Sequence, residues 1–195
     1  MTLPTISTRR CVLREWIDSD REPFAALNAD PRVMEFFPAP LTPTQSAALL
    51  EKNSAHIAGH GFGLWAVEVP GVTAFAGTVG LLVPGFNAPF TPCIEMSWRF
   101  GFDAWGNGYA CETALAVLSF GFHNLNLPEI VSFTAYRNHR SRRLMERIGM
   151  EYSRSEDFHH PNLPPEHHLS LHALYRLKRQ NFRPEGLSQK VEKWK

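Results

Sequence analysis

The sequence predicts a mixed α/β (α+β) sheet domain. Apolar spacing switches repeatedly between period two and period 3.6, so strands and helices are interspersed along the chain. Two strand-like segments in the middle meet at Pro70-Gly71, a tight turn that makes the sheet mixed rather than purely parallel. A turn containing Gly106 and Gly108 joins a strand to an apolar-striped helix. Strands mixed with helices in this way pack as a two- or three-layer sheet domain.

Residues 9–16 alternate enough to form the first strand. Asp18 is the expected N-cap of a short helix carrying Phe24, Leu27 and Asn28, which Pro31 borders. A proline-rich loop at 37–43 follows. Thr42 or Thr44 caps a second helix through Ala47, Leu50 and Ile57, closed by Gly59 or Gly61. Residues 62–69 and 74–83 read as strands, and 84–89 as a longer loop. In the next strand, 93–100, Ile94, Met96, Trp98 and Phe100 share one side, with Cys93, Glu95, Ser97 and Arg99 on the other. Residues 108–122 are helical, with Ala114, Val117, Leu118 and Gly121 in one stripe. After a strand at 130–136, a helix at 138–148 puts Ser141, Leu144, Met145 and Ile148 on one face and ends at Gly149. Strands begin at 150 and span 169–177, with Leu169, Leu171, Ala173 and Tyr175 on one side and His172 on the other. Residues 1–177 are expected to form one domain. Residues 178–195 carry six basic and two acidic groups and are expected to be a basic, solvated tail.

The chain has 195 residues, 44 % of them apolar and 20 % charged, which suits a globular domain with its own core. Twenty basic residues against nineteen acidic give a net charge of +1, which argues against a nucleic-acid partner. No stretch approaches the ~20 apolar residues of a membrane span, and the first residues hold no apolar signal core, so no membrane partner is expected. Three cysteines, Cys11, Cys93 and Cys111, without a C-x-x-C pair, fit free thiols in a reducing cytoplasm.

The strand–glycine–helix junction at 98–110 carries most of the functional information. Glycines there let a ligand approach the backbone, and the first amides of a helix lack internal partners and favour an anion. A phosphate or pyrophosphate is the expected occupant. The Walker pattern G-x-x-x-x-G-K-[ST] is absent, and a Rossmann G-x-G-x-x-G would need glycine where Cys111 stands.

Glu95-Met96-Ser97-Trp98-Arg99-Phe100 followed by Trp105-Gly106-Asn107-Gly108-Tyr109-Ala110-Cys111-Glu112 resembles the central strand and pyrophosphate loop of the GNAT N-acetyltransferases. Asn138-x-x-Ser141-x-x-Leu144-x-x-x-Ile148-Gly149-Met150 resembles the next signature of that superfamily. The W-G-x-G-Y-A form, and serine three after asparagine, are similar to its RimJ/RimL-like branch. The resemblance covers about residues 8–177. It implies a GNAT-like mixed, mostly antiparallel central sheet of about seven strands flanked by about four helices. It also implies an acetyl-CoA-dependent N-acetyltransferase, in which a primary amine, a protein N-terminus or a small molecule, attacks the thioester directly in a ternary complex.

The resemblance assigns cofactor binding to Trp98, Arg99, Phe100, Trp105, Gly106, Asn107, Gly108, Tyr109, Ala110, Asn138 and Ser141. Backbone amides of 106–110 would hold the pyrophosphate and the backbone of 98–100 the pantetheine arm. Glu95 is the first candidate for the base, acting through water, and Ser141 for protonating the thiolate. A tyrosine acid four residues after Ser141 is excluded, since Met145 stands there.

Five of the nine histidines lie between 159 and 172. No zinc spacing appears among them, so no metal is expected. They are expected to shape the acceptor pocket, with His160 and His172 contacting substrate and one of the imidazoles a second candidate for the base. Cys111 reads as apolar packing, and Glu112 as a charge that complements the helix dipole. Dimers are frequent in the family, so a homodimer is among the expected partners. A CoA-binding sensor domain without turnover is the alternative, and a nucleotide-binding domain of another kind a third. The acceptor, the acyl length and the oligomeric state stay open.

Overall fold

The computed structural model describes residues 3–183. Most of the expected basic tail therefore lies outside the described residues. Among the described residues, nine strands form one sheet in the order β1-β2-β3-β4-β5-β6-β9-β7, with β8 pairing onto β9. Four α-helices accompany it among those same residues. From β1 to β4, and where β9 meets β6, β7 and β8, neighbouring strands run antiparallel, whereas β5 and β6 pair in parallel. The chain divides into two compact units, 1–82 with 97–116 and 83–96 with 117–195. The boundaries fall inside β5 (Glu95–Phe100) and inside α3 (Tyr109–His123).

The first unit opens with β1 (Ile6–Ser7) and β2 (Val12–Arg14). The strand expected at 9–16 is shorter than its alternation suggested, because residues 8–11 turn. Thr8 is the pivot: its N–H donates to the Cys11 carbonyl, and its hydroxyl oxygen accepts from the Cys11 N–H. The N-cap expected at Asp18 also shifts. The Asp18 side chain is solvated, whereas Asp20 accepts from the Ile17 N–H and pairs with both terminal nitrogens of Arg14, at 2.8 and 2.9 Å. A carboxylate only 1 % exposed with a bidentate partner is satisfied inside a core; one without would cost several kcal/mol, by order of magnitude.

Helix α1 (Arg21–Ala29) follows, then α2 (Pro43–His60). Thr42 caps α2 as expected: its hydroxyl accepts from the Gln45 N–H, and the Gln45 side chain accepts from the Thr42 N–H. The helix ends at Gly61. Strands β3 (Leu64–Val69) and β4 (Thr73–Leu82) form the expected hairpin over 70–71. Gly77 in β4 has no room for a side chain, since a Cβ there would lie 2.3 Å from the Arg99 carbonyl oxygen. Its absence lets β4 lie close along β5. Trp65, Leu13, Val67, Val79 and Leu81 fill this unit's core, each worth roughly 1.5–3 kcal/mol on full burial.

In the second unit, β6 (Glu129–Ala135) pairs along its whole length with β9 (Leu171–Lys178). Helix α4 (His139–Arg147) lies between β6 and β7 (Glu151–Tyr152), and β8 (Phe158–His159) adds to β9. Pairing of β5 with β6 is confined to Glu95 and Val131, and the Met96 carbonyl is taken by the Ser132 hydroxyl at 2.8 Å. The strand count exceeds the expected seven by β1 and β8, two-residue strands too short to leave a period in the sequence; the strand expected from 150 is β7.

Candidate active site

The glycine turn of the first unit has the geometry its sequence implied. Gly106 and Gly108 have φ of 77° and 80°, in the left-handed region that side chains resist. A Cβ at Gly106 would meet nothing within 4 Å, so the turn is open there. Helix α3 starts at Tyr109, and its first-turn amides, those of Tyr109 and Ala110 among them, have no intrahelical acceptor. Trp105 is anchored from its indole Nε1 to the Phe100 carbonyl at 2.9 Å, and the Asn107 side chain donates to the Trp105 carbonyl. The turn is thus fixed from both ends by its own residues.

Two residues that the sequence did not single out for this site brace it from the N-terminal turn. Glu112 accepts from the Thr8 hydroxyl, the Arg10 N–H and Arg10 Nε, each at 2.7 Å. Burial alone would raise its pKa, but these donors outweigh burial and hold it below the ordinary range. Glu112 therefore does more than complement the helix dipole. Arg10 in turn donates to the Asn107 carbonyl, lies over the Tyr109 ring, and would sit 3.2 Å from a Cβ at Gly108. A cation thus stands directly beside the open amides. Thr8 and Arg10 are about a hundred residues from Glu112 in sequence, and no local pattern announces that contact.

Trp98, Arg99 and Phe100 form the end of β5. Phe100 is buried; Arg99 bonds Asn28 and stacks on Phe37 at 4.2 Å. Its Nε has no partner among the described residues, and burial lowers its pKa to about 10.

In the second unit the register places Glu95 beside Val131. Phe133, His172, Leu174, Arg176 and Phe158 follow on the same face by strand alternation and pairing. Glu95 is half-buried, and its carboxylate has no hydrogen-bond or ion-pair partner among the described residues. Loss of hydration pushes its pKa from about 4.5 up to about 8. On the opposite face Tyr175 donates to Glu146 and accepts from Arg142 of α4, so His172 and Tyr175 point apart, as the alternation required.

Asn138 caps α4. Its Oδ1 accepts from the Ser141 N–H, while its Nδ2 donates to Thr134 Oγ1 at 3.0 Å and Ser141 Oγ at 3.1 Å. With its oxygen so engaged, the Ser141 hydroxyl keeps its proton for another acceptor. Met145 is buried, in keeping with an apolar position.

His160 and His172 come together, ring centroids 5.0 Å apart. Burial lowers the pKa of both, that of His172 to about 4. They are neutral near pH 7 and weak as bases. His159 instead bonds Ser170, and His167 stacks on His168. Among the described residues, no three His, Cys, Asp or Glu side chains converge as a metal site.

The architecture is that of acetyltransferases. The chain superposes on an acetyltransferase of Agrobacterium tumefaciens str. C58 with a TM-score of 0.72 and 25 % identity, covering 91 % of this chain and 95 % of that one. Residues 10–151 match the acetyltransferase (GNAT) domain family, and the chain belongs to that family. Among curated proteins of Bacillus subtilis (strain 168) it is 30 % identical to the uncharacterized protein YkkB, over 76 % of this chain and 86 % of that one. It is 28 % identical to the uncharacterized N-acetyltransferase YnaD, over 74 % and 81 % respectively. The protein is an N-acetyltransferase. No helix among the described residues is long and apolar enough to cross a membrane.

Proposed function

We propose that the enzyme transfers the acetyl group of acetyl-CoA to a primary amine by direct attack, in the manner of the RimJ/RimL-like branch. The observation that carries this is the open Gly106–Gly108 turn at the start of α3 with Arg10 beside it. Backbone amides and a guanidinium are the donor set a pyrophosphate takes. The backbone of 98–100 runs on beyond the single β5–β6 pair and would hold the pantetheine arm.

The acceptor amine arrives as an ammonium and must lose a proton before it attacks. A lysine-type amine, pKa ~10.4, is under 0.1 % neutral at pH 7. Glu95, with its pKa near 8 and no partner among the described residues, suits that proton, taken directly or through water. His172 at about 4 does not. The amine nitrogen then bonds to the thioester carbon, and the carbon–sulfur bond breaks. The departing thiolate takes the Ser141 hydroxyl proton, and the second proton, shed by the nitrogen as it becomes an amide, restores that hydroxyl through solvent. The products are the N-acetylamine and CoA.

Thermal melting with acetyl-CoA, CoA, ATP and NAD in separate samples tests the cofactor assignment. A ligand at a hundredfold its Kd adds ~2.7 kcal/mol, several degrees for a chain of this size. Shifts with acetyl-CoA and CoA alone support the proposal. Shifts with only ATP or NAD, or no shift at millimolar acetyl-CoA, overturn it.

A further inference from the structure

The face of the second unit that carries Glu95 also carries a continuous aromatic wall. Phe86 and Phe90 come from the 84–94 loop, Phe133 from β6, Phe158 from β8, and His160 and His172 flank them. Phe90 lies 4.7 Å from Phe158, Phe86 5.6 Å from Phe133 and 4.7 Å from His160, centroid to centroid. Rings that only filled a core would be buried. These four phenyl rings and His160 all keep part of their surface in solvent; His172 is buried.

The charges on this face are few and mostly spent. Arg176 holds Glu129 and Glu156, each at 2.7 Å. Among the described carboxylates that the register puts on this face, Glu95 alone lacks a partner. The two imidazoles complement each other. Nδ1 of His160 accepts from the Asn162 N–H, leaving Nε2–H as a donor. Nδ1 of His172 donates to the Ser170 carbonyl, leaving Nε2 as an acceptor. Neither brings a charge.

We propose that this wall selects the acceptor, and that the acceptor class is a small primary monoamine bearing an aryl-alkyl group. This rests on the acetyl-transfer function proposed above. A second ammonium, as in a polyamine, would be desolvated against phenyl rings with no carboxylate to meet it. A free carboxylate would find Arg176 on this face already committed to Glu129 and Glu156. An aryl group instead gains edge-to-face contacts on four rings, and its amine meets Glu95.

The test uses the full chain, acetyl-CoA and release of free thiol. The acceptors are 2-phenylethylamine, spermidine, phenylalanine and a short peptide amide with N-terminal phenylalanine. 2-Phenylethylamine is expected to have the highest kcat/KM, at least tenfold above spermidine and phenylalanine. In Phe158→Leu its KM should rise about three- to tenfold, kcat and the KM for acetyl-CoA staying within twofold. Phe90→Leu, on the loop, repeats the measurement should Phe158→Leu fail to fold, as judged by its melting with CoA.

A normal acetyl-CoA shift with spermidine, phenylalanine or the peptide preferred, or with no acceptor used, overturns the aryl-amine assignment and leaves the cofactor assignment standing. The absence of any acetyl-CoA shift overturns both. An unchanged phenylethylamine KM in both variants removes the wall from acceptor recognition.

Discussion

The glycine turn of the first unit and the Glu95 face of the second are built from different materials. The turn works through backbone amides held in left-handed conformations, with side chains only bracing it. The face works through side chains, one carboxylate and a set of rings, on regular paired strands. A backbone site is broken by changing conformation. A side-chain site is broken by changing one functional group while the fold stays intact. Variants can separate the two.

The largest effect should come from Glu95→Gln, which keeps the shape and removes the base. General base catalysis contributes typically ~10²–10⁴-fold, so kcat/KM should fall by that order while the acetyl-CoA melting shift is retained. The wild-type rate should climb as pH rises through about 8, where Glu95 ionises, and the variant should lose that limb. A variant within threefold of wild type, with the same pH profile, removes Glu95 from the reaction.

Next comes Gly108→Val, at φ of 80° and facing Arg10. Forcing a β-branched residue into that region costs about 1–3 kcal/mol. Melting should drop by several degrees, and the KM for acetyl-CoA should rise more than tenfold. An unaltered acetyl-CoA KM would show that the turn does not hold the cofactor.

Ser141→Ala should act more modestly, lowering kcat by about tenfold with acetyl-CoA binding nearly unchanged, since a hydrogen bond to a charged group is worth ~1.5–3 kcal/mol. Equal loss in kcat and in affinity would make Ser141 a binding residue instead.

The smallest effect concerns stability. Folding raises the pKa of Glu95, so its folded form binds a proton that the unfolded chain releases above about 4.5. That contribution is full at pH 4.5 and below, and is lost as pH climbs through about 8. Folding lowers His172 instead, and its contribution is lost as pH falls from 6.5 towards 4. Melting temperatures from pH 5 to 9 should fall less steeply on the alkaline side for Glu95→Gln, and less steeply on the acid side for His172→Gln.

The two regions also differed in how far the sequence announced them. The turn was readable because its backbone course is set locally: Trp105, two glycines two apart, a strand before and an apolar-striped helix after. Asn138 and Ser141 were readable for the same reason, a cap and its third residue. The Glu95 face was only half readable. Alternation put Glu95 opposite Trp98 and His172 opposite Tyr175, and the five histidines between 159 and 172 were visible. But the register that sets Phe158 against His172 is made by a two-residue strand, and Phe86, Phe90 and Phe133 converge only in three dimensions. The Arg10–Glu112 tie was invisible, because nothing near either residue encodes a partner that distant.

That tie has a kinetic consequence. Contacts between residues far apart in sequence close large loops and form slowly. Helix α3 and the hairpin of β3 and β4 can organise from neighbouring residues, whereas the brace on the glycine turn needs the eighth and tenth residues to find the one-hundred-and-twelfth. On dilution from denaturant, recovery of helical circular dichroism should therefore precede recovery of coenzyme affinity, and Glu112→Gln should widen the interval between them.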